Sequence, residues 1–324
     1  MKRALWLARA AGLVGLGVLL VGSLVVPLAE RCWLAEVLCH LRYPLGLGGL
    51  AAAALLLAGG RRRLAFVALV VGCLHAGPTW RYSVASPAPA PCGPRLVVAH
   101  ANLLFGRADP ARVRAWLDAL DPHVVGFTEV MDSGRSGFDW PAVLRGWEER
   151  YPYRLILEHE HFGMALLSRL PLAGARERAV PAAGGGLEGG RPKLLEARVE
   201  VGGRAVQLLL AHPHRPGAPW RNASRAAVYA EIARAPAHVP LVVFGDLNST
   251  AYSPLFQRLL ADARLADTRL GRGRQGSWRH AWIPGRWVTL DHVLVRGGVR
   301  AEERALGPEI GSDHLPVYAV LRLP

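Results

Sequence analysis

From Ala4 to Leu28 the chain is apolar for 25 residues, broken only by Arg9. A run of that length crosses a hydrocarbon layer about 30 Å thick. In such a layer no water satisfies the backbone, so the segment has to be helical. Two shorter apolar runs follow, Leu45 to Leu57 and Leu64 to Leu74, which extend to Cys39–Ala58 and Leu64–Pro78. Three transmembrane helices are therefore expected in residues 1–80, with one or two spans as the alternatives. A cleaved signal peptide is disfavoured, because the first run exceeds the usual 7 to 15 apolar residues or so and no small-x-small site follows it.

Arg and Lys collect on cytoplasmic flanks. Met1-Lys2-Arg3 and Arg61-Arg62-Arg63 mark two such flanks, so three spans deliver the remainder of the chain to the far side. The expectation is a multi-pass protein of the cell membrane with an extracytoplasmic C-terminal domain. Losing one span from the count would reverse the side. Residues 81–94 are rich in Pro and Ala, a composition that favours an extended, semi-rigid linker.

The net charge of +14 suggests an anionic partner such as nucleic acid. Yet Lys occurs only at Lys2 and Lys193, and abundant Arg, Ala and Gly are equally the mark of a biased genome, so charge alone selects no substrate. All four cysteines, Cys32, Cys39, Cys73 and Cys92, precede residue 95. This excludes a thiolate nucleophile and a Cys-rich zinc cage from the C-terminal domain. Cys32 and Cys39 lie close enough in sequence to pair in an oxidising compartment, though packed free thiols are favoured.

Residues 95–324 change to short apolar runs separated by turn residues. Strands are expected at Arg95–Ala101, Val124–Thr128, Met164–Ser168, Leu194–Val201, Ala205–Ala211, Leu241–Gly245, Leu290–Val295 and Val317–Leu323. Helical spacing covers Pro110–Leu120 and Arg221–Ala235, the first preceded by Asp109 as an N-cap. Many strands and few helices suggest an α/β fold of two packed sheets flanked by helices. The Gly-rich stretch Ala182–Gly190 is expected to be a loop.

Polar residues interrupt these strands at telling places. Asn102, Glu129, His212 and Asp246 each follow an apolar run, whereas Asp291 and Asp313-His314 stand at or just before the start of one. Strand ends and starts alternate along the edge of an antiparallel sheet, so all of these positions can share one rim. Four carboxylates in one cleft would raise one another's pKa unless a cation neutralised them. Oxygen donors and an amide favour Mg²⁺ or Mn²⁺ over zinc. Such an ion polarises a phosphoryl oxygen while a carboxylate and histidines handle the attacking water. Singly, each residue has a plainer reading: Gly245-Asp246-Leu247-Asn248 as a turn, Glu129 as a solvated strand end, His212 as a structural donor.

Their order is more specific. Ala101-Asn102, Asp121 to Glu129, Gly163 to Pro171, Ala211-His212, Gly245-Asp246-Leu247-Asn248-Ser249-Thr250, Leu290-Asp291-His292 and Gly311 to Val317 together resemble the endonuclease/exonuclease/phosphatase superfamily over Arg95 to Leu323. They are most similar to a bacterial branch with N-terminal membrane helices, related to metal-dependent deoxyribonucleases. The resemblance implies a four-layered α/β sandwich with its site at one rim. It implies Asn102, Glu129 and Asp313 at the metal, with Glu129 a direct ligand, and His212, Asp246, Asn248, Asp291 and His314 as catalytic residues. Asp246 would orient or activate the attacking water, Asn248 would hold the phosphate, the histidines would donate to phosphoryl oxygens or act as acid and base, and Asp291 and Asp313 would complete the metal site or orient a histidine. Thr128 stands where Gln often precedes the metal-binding Glu.

The resulting expectation is a metal-dependent phosphodiester hydrolase acting first on nucleic acid. The alternatives are a lipid-headgroup phosphodiesterase or phosphomonoesterase at the bilayer, and a non-catalytic tethered binding module. Three further features stay open. His159/His161 and His212/His214 have a two-residue spacing that could serve zinc, though surface or supporting positions are favoured for His159, His161 and His214. Trp278, Trp282 and Trp287 are a substrate wall or packing beneath a loop. Asn222-Ala223-Ser224 fits a glycosylation triplet.

Overall fold

The apolar N-terminal runs form helices in the computed structural model, which describes residues 2–84, 93–132, 137–158, 163–180, 193–279 and 285–324. Helix α1 spans Lys2–Val25, α2 Trp33–Cys39, α3 Arg42–Ala58 and α4 Arg62–Trp80. Lys2–Leu28 and Arg62–Trp80 are each long and apolar enough to cross a membrane. The pair α2 and α3, bent by 66°, counts as a third span if taken together. Helices α3 and α4 cross at Gly49 and Gly72, where a Cβ on either would collide with the other's backbone. Close backbone approach at small residues is what lets apolar helices of this kind pack together. Leu16, Leu19, Ala52, Leu56 and Ala68 fill the seam, while Val14, Val21, Leu24, Phe66 and Leu74 point outward.

The bundle has two distinct ends. Arg9 Nε donates to the Gly59 carbonyl, which sets the start of α1 beside the end of α3 and the Arg61–Arg63 turn. The opposite ends of α1, α3 and α4 face the remainder of the chain.

That remainder is a sandwich of two six-stranded sheets. In chain order the elements are β1 (Arg95–Asn102), α5 (Pro110–Leu120), β2 (Val124–Thr128), α6 (Trp140–Arg145), β3 (Tyr153–Leu157), β4 (Met164–Ser168), β5 (Ala173–Arg178), β6 (Lys193–Val201), β7 (Arg204–His212), α7 (Pro219–Ala233), β8 (Leu241–Asp246), α8 (Pro254–Asp262), β9 (Ala266–Asp267), β10 (Asp291–Arg296), β11 (Arg300–Leu306) and β12 (Val317–Arg322). One sheet runs β11-β12-β1-β2-β4-β3 and the other β5-β6-β7-β8-β10-β9. Both are mixed, with parallel pairs β1/β2 and β7/β8 among antiparallel neighbours. Between the sheets lie Leu96, Val98, Val124, Leu208, Leu210, Phe244 and Val293. Helices α5 and α6 cover the first sheet through Val113, Trp116, Leu117 and Trp140, and α7 and α8 cover the second through Val228, Ile232, Phe256 and Leu259. This is the four-layered α/β sandwich expected. Asp109 caps α5 as its sequence suggested, accepting from the amides of Ala111 and Arg112.

The N-terminal helices dock directly on the sandwich. Residues 85–92 of the linker, Ala182–Gly190, Cys92, His159, His161 and Trp282 lie outside the described residues. The first residues of the expected 81–94 linker are instead fixed on the sandwich: Tyr82 is buried, edge-on to Tyr252 and beneath the Arg269 guanidinium. Cys32 and Cys39 are free thiols, as favoured. Asn222 is buried in α7 and accepts a hydrogen bond from Arg225, so the Asn222-Ala223-Ser224 triplet is no glycosylation site.

Candidate active site and metal centre

Six strand ends meet at one rim of the sandwich. The parallel pair β1/β2 delivers Asn102 and, one residue beyond β2, Glu129. In the other sheet β7 ends at His212 and β8 at Asp246, and antiparallel pairing sets Asp291 opposite Asp246. Asp313 and His314 arrive just before β12. Gly245 has φ 136°, and a Cβ there would collide with the Ala211 carbonyl, so glycine lets β8 close on β7 immediately before Asp246. Glu129 and Asn248 hold φ of 57° and 49°. Non-glycine residues persist in that region only when their surroundings over-determine them, as at binding and catalytic sites.

The hydrogen bonds form a continuous cluster. Asn102 Nδ2 donates to Glu129 Oε1 and to Asp246 Oδ2, both at 2.9 Å. Its oxygen accepts from the Leu104 amide at 2.8 Å, so Asn102 orients two carboxylates through its nitrogen. Glu129 Oε2 accepts from the Phe105 amide. His212 Nε2 stands 3.8 Å from both Glu129 and Asp246. His314 donates from Nδ1 to Asp291 Oδ2 at 2.8 Å, and its Nε2 lies 3.8 Å from Asp246 and 4.0 Å from Asp313. Asn248 donates from Nδ2 to the Pro213 carbonyl, and its amide donates to Asp246 Oδ1. The structure thus brings all eight expected site residues into one neighbourhood.

The electrostatics follow from burial opposed by neighbours. Burial pushes Asp246 up to about 7, helped by Asp291 and Glu129 and resisted by His314. Burial likewise raises Glu129. Burial opposes charge on His314, yet Asp291 and Asp246 lift it to about 10, so it is an imidazolium at neutral pH. Burial alone would raise Asp291, but His314 and His100 hold it well below the usual carboxylate range. His212, desolvated and ringed by other histidines, falls to about 3 and stays neutral.

A hard cation fits this donor set. Buried carboxylates that repel one another, with Asp246 and Glu129 both raised, are what a divalent ion relieves. Asp313 Oδ1 is buried and takes no hydrogen bond among the described residues. Candidate ligand atoms of Glu129, His212 and Asp246 lie within 4.8 Å of one another, as do those of Asp246, Asp291 and His314. A third such group, Glu36, Cys39 and His40, is committed elsewhere, Glu36 to Arg225 and His40 to Thr250. His214 bonds Ser224 and packs on Trp220, and it joins no metal-ligand group among the described residues.

Three participants were not anticipated. His100 Nδ1 lies 3.2 Å from Asp291 Oδ1, and Thr128 Oγ1 contacts its Nε2. The period-two relation of His100 to Asn102 on β1 was the available signal. Ser277 Oγ accepts from the amides of Leu290 and Asp291, fixing the entry to β10. Arg225 reaches the Asn248 carbonyl from α7. Of the tryptophans, Trp278 donates from Nε1 to Asp313 Oδ2 and so belongs to the site. Trp287 stacks on Tyr43 of α3.

The endonuclease/exonuclease/phosphatase family profile matches residues 99–314, two thirds of the chain and every residue of this cluster. The chain belongs to that family. Among solved structures, an endonuclease/exonuclease/phosphatase from Beutenbergia cavernae DSM 12333 shares 25% identity with a TM-score of 0.59, over 71% of this chain and 72% of its own. D. rerio TDP2, complexed with a single-strand DNA product, shares 18% at 0.53, over 71% and 99%. Sphingomyelinase C from Streptomyces griseocarneus shares 20% at 0.51, over 70% and 99%. No curated protein sequence matches the chain significantly. Family members are hydrolases of phosphoester bonds.

Next to the cluster, His292 couples folding stability to pH. It is buried, with Nε2 donating to the Ser249 carbonyl at 2.8 Å, and burial lowers it to about 4. The unfolded chain takes up this proton near pH 6.5 and the folded one only near 4. Stability present above pH 6.5 is therefore lost as pH falls toward 4, by roughly 3 kcal/mol at most. Unfolding of wild type and His292→Gln at pH 7 and 4.5 should show a steeper acid loss in wild type.

Proposed function

We propose that the chain is a divalent-metal-dependent phosphodiester hydrolase, endonuclease-like, with nucleic acid as its first candidate substrate. The carrying observation is the convergence of Glu129, His212, Asp246, Asp291 and His314 on one buried rim. Glu129 and Asp313 would hold Mg²⁺ or Mn²⁺, with Asn102 orienting Glu129. The ion, when bound, supplies a Lewis acid for the phosphoryl oxygen and the departing oxyanion. Asp246, poised near neutrality, accepts the proton of the attacking water. Asn248 holds the phosphate. His314, kept cationic by Asp291, donates from Nε2 toward phosphoryl oxygen, and neutral His212 offers a second donor. Asp291 is a positioning residue for both His314 and His100. The charge of +14 and the DNA complex of the TDP2 neighbour support nucleic acid.

A second reading, a phosphodiesterase or phosphomonoesterase for lipid headgroups, is favoured by one observation. The loop after Asp246 touches the membrane module, through His40 on Thr250, two residues before α3 begins. The same geometry also bears on the side of the membrane. The ends of α1, α3 and α4 nearest the sandwich are opposite Lys2, Arg3 and Arg61–Arg63, which supports an extracytoplasmic site under the charge rule. The full chain in phospholipid vesicles, given DNA, RNA, the phospholipid itself and a phosphate monoester, is expected to release product from one class with Mg²⁺ and from none with chelator. Turnover that ignores chelator would contradict the proposal.

A further inference from the structure

Arg225 and Glu36 are both fully buried, although one belongs to α7 of the sandwich and the other to α2 between the membrane helices. Arg225 Nη2 meets Glu36 Oε1 at 2.9 Å and also donates to Asn222 Oδ1 at 3.0 Å. Its other arm, Nη1, donates to the Asn248 carbonyl at 3.1 Å. Glu36 is held in turn by Ser253 Oγ, and the neighbouring His40 by Thr250 Oγ1. The whole turn from Asn248 to Ser253 is therefore clamped between the sandwich and α2.

Two physical points make this more than packing. A buried guanidinium without its counter-ion is strongly unfavourable, and the carboxylate nearest to Arg225 comes from outside the catalytic domain. Asn248 also sits at φ 49°, a backbone state that needs several restraints. Tyr229 Oη on the Leu247 carbonyl, Asn248 Nδ2 on Pro213 and Arg225 on the Asn248 carbonyl provide them.

We propose that Glu36 acts through Arg225 as a positioning residue for Asn248, so that the membrane module completes the phosphate-holding part of the site. The inference rests on the phosphoester reading only for its effect on substrate. The catalytic domain is thus not an independent unit on a tether, and α2 lies on the sandwich rather than in lipid.

The test uses the full chain in detergent micelles with Mg²⁺ and bis(p-nitrophenyl) phosphate. Glu36→Gln, nearly isosteric, is expected to raise KM about tenfold with kcat within about threefold. The effects of Glu36→Gln and Asn248→Ala should not multiply: the double variant's KM should stay within about threefold of Asn248→Ala alone. Arg225→Lys, which keeps the charge against Glu36 but loses the fork, should reproduce the KM rise. Independently of turnover, amide exchange across 247–253 should quicken about tenfold or more in Glu36→Gln. Unchanged exchange overturns the inference, as does an unchanged KM or full multiplicativity in an active enzyme. A wild type that hydrolyses nothing counts against the phosphoester reading, and the exchange measurement then decides this inference by itself.

Discussion

Asp246→Asn is expected to lower kcat about a thousandfold while leaving the folded protein as stable as wild type or more so. The activity loss follows from removing a rim carboxylate held near neutrality, about 7, where a general base contributes roughly 10²- to 10⁴-fold. The stability result follows from the same burial. Asp246 is desolvated and faces Glu129 and Asp291, so in the absence of a cation its charge opposes folding. Asn is isosteric and keeps an acceptor for the Asn248 amide, now 2.9 Å from Oδ1. Initial rates on a diester with Mg²⁺, beside thermal unfolding with chelator, check both halves. A variant that loses activity only because it unfolds would remove Asp246 from the chemistry.

His314→Ala behaves differently, because here the same cluster loses its cation. Asp291, fully buried, is paired with His314 Nδ1 at 2.8 Å and with His100 at 3.2 Å. Deleting one partner of a buried pair costs about 3–5 kcal/mol, chiefly through the charge left behind. Since His314 rises to about 10, its contribution is complete below pH 6.5 and is lost as pH climbs toward 10. The destabilisation should therefore be large at pH 6 and much smaller at pH 10. Adding Asp291→Asn should restore much of the stability and none of the activity, which is expected to fall about a hundredfold or more. Urea unfolding of both single variants and the double variant at the two pH values reads the coupling directly.

The legible part of this site consisted of polar residues placed where an apolar strand stops. Glu129 after Val124–Thr128 and Asp246 after Leu241–Gly245 break a buried run, and a broken run at a strand end reads straight from sequence. His100 was less visible because it stands inside β1, where a lone imidazole looks like a core residue until Asn102 two positions on shows the shared face. Arg225 and Glu36 gave no signal at all. Arg225 lies in the helical stretch Arg221–Ala235 and Glu36 in the short segment between two apolar runs, and their contact joins segments nearly 190 residues apart. The strands that escaped notice share a cause. Tyr153–Leu157, Ala173–Arg178 and Arg300–Leu306 are edge strands, half-exposed or charged, and carry the residues that protect a sheet edge rather than an alternating apolar pattern. Helix α8 was announced by Ser253-Pro254, with Ser253 capping the Phe256 amide, a signal hidden by the Asn-Ser-Thr turn before it. The span count depended on the two runs Leu45–Leu57 and Leu64–Leu74, each shorter than the roughly 20 residues a span prefers, whereas Glu36 ties α2 to the sandwich.

Crystals of the full chain grown with Mn²⁺ and measured at the manganese absorption edge test most directly whether acidic, amide and imidazole side chains from both sheets share one cation. One strong anomalous peak is expected among Glu129, Asp246 and Asp313, absent from crystals of Glu129→Gln. No peak at that rim at millimolar Mn²⁺, or a peak confined to Glu36, Cys39 and His40, would contradict it.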